Sequence, residues 1–379
     1  MGQWYTNGIL RKMIDRQASY IWFHAASLGE FEQGRPMIEA IRKHYPAYRV
    51  LLTFFSPSGY EVRKNYDGAD VICYLPFDTP YKVRKFIHLA NPAIAVFIKY
   101  EFWLNYLSEL KKRNIKTYLI SAVFRPNQLF FKWYGQWYRK ALLCYEQLFV
   151  QDEASKKLLA DYGIEHVEVC GDTRFDRVLE IRHSARLLPE MEIFSQGGKP
   201  VLVVGSSWPE DEALIIPYFN FYPEIKLIIA PHEIHREHLL YIQSLLNRPS
   251  VRSSEATEET LRTNDCLIID SFGMLSSIYR YGNIAYIGGG FGRGIHNTLE
   301  AAVYGIPVIF GPRFQKFKEA GKLLACGGGF SVDSFTSFSN CMDNLISDKE
   351  LLKKAGTAAS NFVHNNAGAT EKILSFLAF

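Results

Sequence analysis

Short apolar segments alternate with helical stretches along the whole chain, and this alternation restricts the fold more than any other feature. Apolar runs separated by amphipathic helices are typical of parallel sheets that helices cover on both faces. In the first half the pattern predicts seven strands, at residues 20–24, 49–53, 71–74, 93–98, 116–121, 147–150 and 166–169. In the second half it predicts six more, at residues 200–205, 226–230, 266–270, 284–287, 307–310 and 329–332.

Polar, irregular residues between 183 and 200 interrupt the alternation near the middle of the chain. A chain of 379 residues is longer than one hydrophobic core usually organises, so two domains are expected. We predict an α/β protein of two Rossmann-like domains facing across a cleft, residues 1–185 and 186–379, with the last helix a candidate to pack back on the first domain. Ligands in such folds bind where strands end, so those loops are the candidate sites.

The overall composition excludes several classes of protein. A net charge of +4 is too small to predict nucleic-acid binding. The six cysteines are scattered with no Cys-x-x-Cys pair, which argues against a zinc site or a disulfide framework and suits a reducing compartment. No apolar run approaches the ~18–20 residues that cross a bilayer, and no signal-peptide pattern begins the chain. We therefore expect a cytosolic protein.

A glycine cluster follows the strand at 284–287 and consists of Gly288, Gly289, Gly290, Gly292 and Gly294. Glycines let backbone N–H groups approach a ligand closely, and a helix expected to begin near residues 296–297 would add unpaired donors and a positive dipole end. An acid one turn into that helix, at position 300, is suited to accept hydrogen bonds from ribose hydroxyls. Together these features predict a nucleotide-sugar site.

Two other interpretations of the cluster remain: a βα turn that binds nothing, and a dinucleotide fingerprint. The fingerprint fits poorly, because its third glycine and the acidic residue about 20 positions later are missing. No Gly-x4-Gly-Lys-Ser/Thr phosphate loop occurs.

Glu30 is the candidate general base. The first strand ends in His24-Ala25-Ala26-Ser27-Leu28-Gly29, a loop of mostly small residues that places Glu30 at the start of the next helix. A carboxylate there can take the proton from an attacking hydroxyl group. The alternative is a helix-start acid stabilised by the helix dipole. Glu32 is a competing carboxylate on a different side of the helix.

Two loops of the second half add polar candidates. Ser206 and Ser207 end its first strand and could cap the next helix or contact a ligand. The next strand ends at Pro231-His232, where three histidines recur every three residues, a spacing that does not match a zinc-binding helix. Contact of His232 or Arg236 with phosphate or base is favoured. No Asp-x-Asp pair is present to chelate a metal-bound sugar diphosphate.

An aromatic segment at residues 124–140 carries aromatic side chains at helical spacing among cations. It contains Phe130, Trp133, Tyr134, Trp137 and Tyr138 together with Arg125, Lys132, Arg139 and Lys140. Such a segment suits either a buried helix or the headgroup level of a membrane with anionic lipid.

These motifs together resemble those of the bacterial transferases of 3-deoxy-D-manno-octulosonic acid (Kdo), over nearly the whole chain. The resemblance rests on residues 23–30 (FHAASLGE), 99–103 (KYEFW), 171–176 (GDTRFD), 205–208 (GSSW) and 288–319. It implies the glycosyltransferase B fold and inverting transfer of Kdo from CMP-Kdo to a lipid A precursor in lipopolysaccharide core biosynthesis.

The resemblance also implies site residues. Glu30 is the catalytic base. The residues expected to bind CMP-Kdo are Ser206, Ser207, Pro231, His232, Phe272, Gly273, Met274, Gly292, Gly294, His296, Asn297, Thr298, Leu299 and Glu300. The cations Arg125, Arg174, Arg313 and Lys316 are candidates for the Kdo carboxylate or the lipid phosphates. Two positions depart from the family, which often has arginine at 232 and glutamate at 274.

Neither a cofactor nor a metal is expected, because a monophosphate leaving group carries less charge than a diphosphate. The expected partners are CMP-Kdo, a lipid A precursor and the inner-membrane surface, with no nucleic acid. We expect a peripheral protein on the cytoplasmic face of the inner membrane that lacks the hydrophobic N-terminal anchor of most family members. Two alternatives remain open: another sugar-nucleotide glycosyltransferase or epimerase of this fold, and a catalytically silent membrane-associated binding protein.

Overall fold

The computed structural model describes residues 5–292 and 294–377, which form two compact units. One unit comprises Met1–Arg177 together with Asn366–Phe379, and the other comprises Val178–Asn365. Each unit is built around its own parallel sheet.

The first unit contains a seven-stranded parallel sheet in the order β3-β2-β1-β4-β5-β6-β7. Its strands are β1 (Ser19–Ala25), β2 (Tyr48–Phe54), β3 (Val71–Tyr74), β4 (Pro92–Ile98), β5 (Lys116–Ala122), β6 (Gln147–Val150) and β7 (Val167–Val169). The helices are α1 (Thr6–Met13), α2 (Leu28–His44), α3 (Pro57–Arg63), α4 (Pro80–Ala90), α5 (Leu104–Lys112), α6 (Gln136–Arg139), α7 (Glu153–Ala160) and α8 (Thr173–Ser184), the last running across the unit boundary.

Both faces of this sheet are buried, as near-continuous apolar strands require. Along β1, Trp22 enters one core cluster and its neighbours Ile21 and Phe23 enter the cluster on the opposite face. All three side chains are fully buried. Because the strands of this sheet are parallel, every loop that follows a strand lies at the same edge of the sheet.

The second unit repeats the architecture, with strand order β10-β11-β9-β8-β12-β13-β14. Its strands are β8 (Val201–Ser207), β9 (Lys226–Pro231), β10 (Ser250–Arg252), β11 (Cys266–Ile268), β12 (Ile284–Ile287), β13 (Val308–Phe310) and β14 (Gly329–Ser331). Its helices are α9 (Pro189–Ser195), α10 (Pro209–Phe221), α11 (Arg236–Leu245), α12 (Glu258–Thr263), α13 (Leu275–Ile278), α14 (Leu299–Ala302), α15 (Lys318–Ala325), α16 (Phe335–Ser347) and α17 (Lys349–Asn365).

The final helix, α18 (Ala369–Phe376), packs in the first unit. Ile373 and Leu374 join the core cluster that contains Ile21 and Phe23. Asp176 fixes the start of this helix, since its carboxylate accepts hydrogen bonds from the Gly368 N–H at 2.6 Å and from the N–H and hydroxyl of Thr370, each at 2.7 Å.

The α/β fold class and all thirteen predicted strands are confirmed. The strand β10 was not predicted, because only Val251 of its three residues is buried and its polar neighbours hide the pattern. Among residues 5–292 and 294–377, no helix has the length and apolar character needed to cross a membrane.

The aromatic segment is not a single helix, so its helical spacing was misleading. It forms a 3-10 turn at Leu129–Phe131 and the four-residue helix α6. Phe130 is buried and stacks on Tyr138 at 4.8 Å between ring centroids. Trp133 and Trp137 are exposed, at 91% and 59% of their surface. The segment therefore divides its aromatic side chains between the core and the surface.

Candidate active site

Glu30 begins helix α2, and its two carboxylate oxygens have different surroundings. Oε2 accepts hydrogen bonds from the backbone N–H of Ala26 at 2.6 Å and of Ser27 at 3.3 Å. These bonds satisfy donors left unpaired at the start of the helix, as in a capping box. Oε1 has no hydrogen-bond partner among the residues that the structure describes. The same side chain therefore stabilises the helix and keeps one oxygen available to accept a proton.

A buried polar network lies beside this carboxylate. His24 is fully buried at the end of β1, and its Nε2 lies 3.0 Å from Oε2 of Glu101. Its Nδ1 lies 2.9 Å from the hydroxyl of Thr53. The indole N–H of Trp103 also donates to Glu101. Glu101 is thus held in place by two neighbours and is only 8% exposed.

The surroundings of Glu30 raise the pKa of its carboxyl group. Burial is the main cause, and the nearby negative charge of Glu101 adds to it. The hydrogen bonds from Ala26 and Ser27 and the proximity of His24 act in the opposite direction and do not cancel the rise. A higher pKa makes the ionised carboxylate a stronger base.

The competing carboxylate, Glu32, is occupied by ion pairs. Its Oε1 lies 2.7 Å from Arg63, and its Oε2 lies 3.6 Å from Arg177. Two arginines neutralise this side chain, which leaves Glu30 as the better candidate for a base.

Two residues with a strained backbone lie at the same edge of the sheet as Glu30. Lys99 and Ser121 have φ angles of 67° and 55°, in the left-handed region that such residues rarely adopt. They lie where β4 and β5 end. The hydroxyl of Ser121 lies 3.0 Å from that of Thr173, whose hydroxyl donates to the Gln33 carbonyl. Such backbone strain is typical of functional sites. The only feature of the sequence that could have indicated it is a lysine directly after a buried strand.

In the second unit, most glycines of the cluster serve backbone packing. A Cβ on Gly288 would lie 2.2 Å from the Ser206 carbonyl oxygen. A Cβ on Gly290 would lie 2.5 Å from Cα of Gly311. A Cβ on Gly292 would meet nothing closer than 3.9 Å. Close contact between loops therefore explains Gly288 and Gly290, while Gly292 lies at an open position.

A buried carboxylate that sequence reasoning missed holds this loop. Asp211 is fully buried, and its Oδ2 accepts hydrogen bonds from Gly289 N–H at 2.8 Å and Trp208 N–H at 3.0 Å. Its Oδ1 accepts from the Tyr286 hydroxyl at 2.9 Å. Asp211 therefore ties the start of α10 to the glycine cluster, a link between distant positions that no local pattern shows.

The helix after the cluster begins later than expected, at Leu299 instead of near residues 296–297, and this helix, α14, has four residues. The Asn297 side chain bridges the turn, donating to Glu300 Oε1 at 2.9 Å and accepting from Leu299 N–H at 3.1 Å. The N–H groups of Asn297 and Thr298 have no hydrogen-bond partner among the described residues. The buried Thr298 hydroxyl also lacks one there. Asn297 is half-buried, so its N–H is the accessible donor of this turn, whereas Thr298 is fully buried.

An aromatic stack lies beside this turn. The ring of His232 stacks on Trp208 and on His296, with 4.6 Å between centroids in each case. The Trp208 indole N–H donates to Nε2 of His296 at 3.2 Å. Burial, together with the neighbouring His232, lowers the pKa of His296 to about 4, so its ring is neutral near pH 7. Among the described residues, no group of three or more metal-binding side chains occurs.

The other predicted contacts differ in accessibility. Ser207 is fully buried and its hydroxyl donates inwards to Glu212 at 2.8 Å, while Ser206 is half-buried with a φ of 54°. Leu299 is fully buried, so the structure does not bring it to a surface that a ligand could contact. Phe272, by contrast, is 75% exposed, so its phenyl ring could stack on a planar ring of a ligand.

Comparison with known proteins shows a similarity to Kdo transferases. The family description "3-Deoxy-D-manno-octulosonic-acid transferase (kdotransferase)" matches residues 4–177. The 3-deoxy-D-manno-octulosonic acid transferase of Haemophilus influenzae is 26% identical over 94% of this chain and 86% of its own. That of Aquifex aeolicus is 26% identical over 88% of each chain. Residues 4–177 thus match the Kdo transferase model, and these relatives extend the similarity over most of the chain. The predicted resemblance to the Kdo transferases, which are glycosyltransferases, is therefore confirmed.

Solved structures confirm the fold expected of a Kdo transferase. The UDP-GlcNAc 2-epimerase of Neisseria meningitidis superposes with a TM-score of 0.67 and 17% identity, over 94% of this chain and 98% of the other. The epimerase of Methanocaldococcus jannaschii gives 0.61 and 14%, over 94% of this chain and all of the other (100%). Identities this low establish the architecture alone.

The packing of the cluster predicts different outcomes for two of its glycines. Gly288→Ala should lower the free energy of unfolding by about 1–3 kcal/mol, because its Cβ would collide with backbone atoms. Gly292→Ala should change it by less than ~0.5 kcal/mol, since its Cβ enters open space. Urea unfolding followed by circular dichroism measures both. Equal effects in the two variants would contradict the packing role of Gly288.

Proposed function

We propose that this protein transfers Kdo from CMP-Kdo to a hydroxyl group of a lipid A precursor, with inversion at the anomeric carbon. The observation that carries the proposal is Glu30, a half-buried carboxylate with a raised pKa, one fixed oxygen and one unengaged oxygen. A general base needs this combination, because it must be held rigidly and still reach the proton that it removes.

The reaction proceeds by direct displacement. Glu30 takes the proton of the acceptor hydroxyl group while that oxygen forms a bond to the anomeric carbon of Kdo. The bond from this carbon to the phosphate oxygen breaks, and its electron pair leaves with CMP. Atoms and charge balance without a covalent intermediate, and the protonated Glu30 afterwards loses its proton to solvent.

The second unit supplies the donor-binding groups in this proposal. The N–H group of the half-buried Asn297 offers a donor to the phosphate, and the unpartnered N–H and hydroxyl of the buried Thr298 lie one residue further along the chain. Glu300, oriented by Asn297, accepts from the ribose hydroxyls. Phe272 and His232 are further candidates to contact the nucleotide. A monophosphate leaving group needs less charge neutralisation than a diphosphate, so these neutral donors can stabilise it without a metal.

The roles of the two halves follow from this arrangement. Residues 1–185, which contain Glu30, bind the acceptor, and residues 186–379 bind CMP-Kdo. In the first half, Arg174 is held by Asp172 at 2.7 Å and 2.9 Å, which fixes its guanidinium at the sheet edge where Glu30 lies. This position suits recognition of a lipid phosphate or of the Kdo carboxylate.

Glu30→Gln should lose transfer by a factor of about 10²–10⁴, the usual contribution of a general base. Glu32→Gln is the matched control and should keep most of the activity. The measurement is mass spectrometry of the lipid after incubation with CMP-Kdo and a lipid A precursor. Calorimetry should show unchanged CMP affinity in both variants.

Three outcomes would contradict this account. Full transfer by Glu30→Gln would remove the base assignment. A clear preference of the wild-type protein for UDP over CMP would favour the alternative of another sugar-nucleotide enzyme, such as an epimerase. Retained lipid binding with no turnover of CMP-Kdo would favour a silent binding protein.

We further propose that the exposed aromatic side chains bind the inner membrane at its cytoplasmic face. Trp133, Tyr134 and Trp137 are 91%, 53% and 59% exposed. Lys132 and Lys140 flank them in the sequence. Amphipathic aromatic rings and cations favour the headgroup region of anionic bilayers. Peripheral binding would bring the enzyme to its lipid acceptor.

The double variant Trp133→Ala, Trp137→Ala should bind vesicles of anionic phospholipid at least about tenfold more weakly, since burying each ring contributes about 1.5–3 kcal/mol. Phe221→Ala is the matched control, because that ring is 77% exposed but lies in the second unit. Vesicle sedimentation measures both. Equal binding by the double variant and the wild type would rule out this surface.

A further inference from the structure

A cavity of about 350 Å³ lies in the second unit, where β10 and β11 end. Helices α9 and α12 supply one side of it, through Met191 and Leu261, and the segment after β11 supplies another. Its volume lies in the range of protein ligand sites, about 300–1,000 Å³. Ligands of such sheets bind at the carboxyl ends of strands, which is where this cavity opens.

The walls of the cavity are mostly apolar. Leu188, Met191, Leu261, Leu267 and Met274 line it. Flexible methionine side chains adapt to flat aromatic rings and make favourable contacts with them. No lysine, arginine or histidine is among the lining residues. The cavity therefore suits a planar, uncharged group better than a phosphate or a carboxylate.

Asp270 places a fixed carboxylate in this apolar setting. Its Oδ1 accepts from the hydroxyl of Ser253 at 2.6 Å and from the N–H of Ser254 at 3.0 Å. Its Oδ2 accepts from the hydroxyl of Ser254. Burial raises the pKa of Asp270, but the hydrogen bonds from Ser253 and Ser254 outweigh it and the pKa falls below its usual value. The group stays ionised near neutral pH.

An ionised carboxylate has about four acceptor positions, and these serine contacts use three. The remaining position favours a ligand that donates a hydrogen bond. Cytosine carries such a donor in its 4-amino group, and aspartate commonly accepts from it. Uracil carries a carbonyl oxygen at the same place, which a carboxylate repels.

The cavity shares a segment of the chain with the proposed donor site. Met274 lines it and directly follows Phe272 and Gly273, the segment proposed above to contact CMP. Gly273 has a φ of 90°, so the chain turns sharply between the exposed ring and the cavity.

We propose that this cavity receives the cytosine ring of the donor nucleotide, and that Asp270 selects cytosine over uracil by accepting a hydrogen bond from the 4-amino group. The inference rests on the proposed function, since that function supplies a cytidine nucleotide, and it adds the residue that reads the base.

Calorimetry of the full chain with CMP and UMP tests the inference. The wild type should bind CMP about 5–150-fold more tightly than UMP, the equivalent of about 1–3 kcal/mol for a base-reading contact. Asp270→Asn should bring this ratio close to one or invert it, because the amide can donate to uracil. Ser254→Ala is the matched control: it removes the hydroxyl hydrogen bond to Asp270 but keeps the carboxylate, and should retain the preference.

A second measurement avoids any effect of substitution on folding. N4,N4-dimethyl-CMP has no hydrogen to donate from its amino group, so the wild type should bind it at least about fivefold more weakly than CMP. A preserved CMP preference in Asp270→Asn, or equal affinity for CMP and its dimethyl derivative, would overturn the role of Asp270 and leave the proposed function intact. Equal binding of CMP and UMP by the wild type would instead count against the CMP donor itself.

Discussion

In each unit, every strand is parallel to its hydrogen-bonded neighbours, and the positions of the functional groups follow from this constraint. Parallel strands all end at one edge of a sheet, so every strand-to-helix loop and many helix starts lie there. In the first unit this edge carries Glu30, Glu101 and the strained Lys99. In the second unit it carries the glycine cluster and the turn at Asn297. Apolar strands build the cores, while polar chemistry is confined to their ends.

Two buried carboxylates show how polar groups at these edges are made rigid. Asp211 receives three hydrogen bonds and fixes the glycine cluster, while Glu101 is held by His24 and Trp103. Burying a charge is costly unless it is hydrogen-bonded, so such groups persist where they position something else. Asp211 positions the proposed phosphate-binding loop, and Glu101 raises the pKa of Glu30. In the proposed mechanism, Asp211 and Glu101 do not contact the substrates but position or tune the groups that do.

Local pattern in the sequence predicted the fold well, because burial on both faces makes each central strand an apolar run. It failed for β10, whose three residues include only one that is buried. It also failed for the aromatic segment, because the spacing of the aromatic residues does not distinguish the buried Phe130 from the exposed Trp133. The placement of Glu30 at a helix start could be predicted, since small residues precede it. Asp211, Glu212 and the cavity at Asp270 could not, because their partners are brought together only by the tertiary fold.

The proposed role of Glu30 as a general base is the central claim, and the dependence of kcat/KM on pH tests it most directly. Only the ionised carboxylate accepts a proton, so transfer should fall as the pH drops through the pKa of Glu30, which lies above its ordinary value of 4.5. Glu101→Gln removes a neighbouring negative charge that raises this pKa, and should move the acidic limb of the profile to lower pH. A limb that stays at the same pH in Glu101→Gln, or a rate that does not fall in acid, would contradict the account.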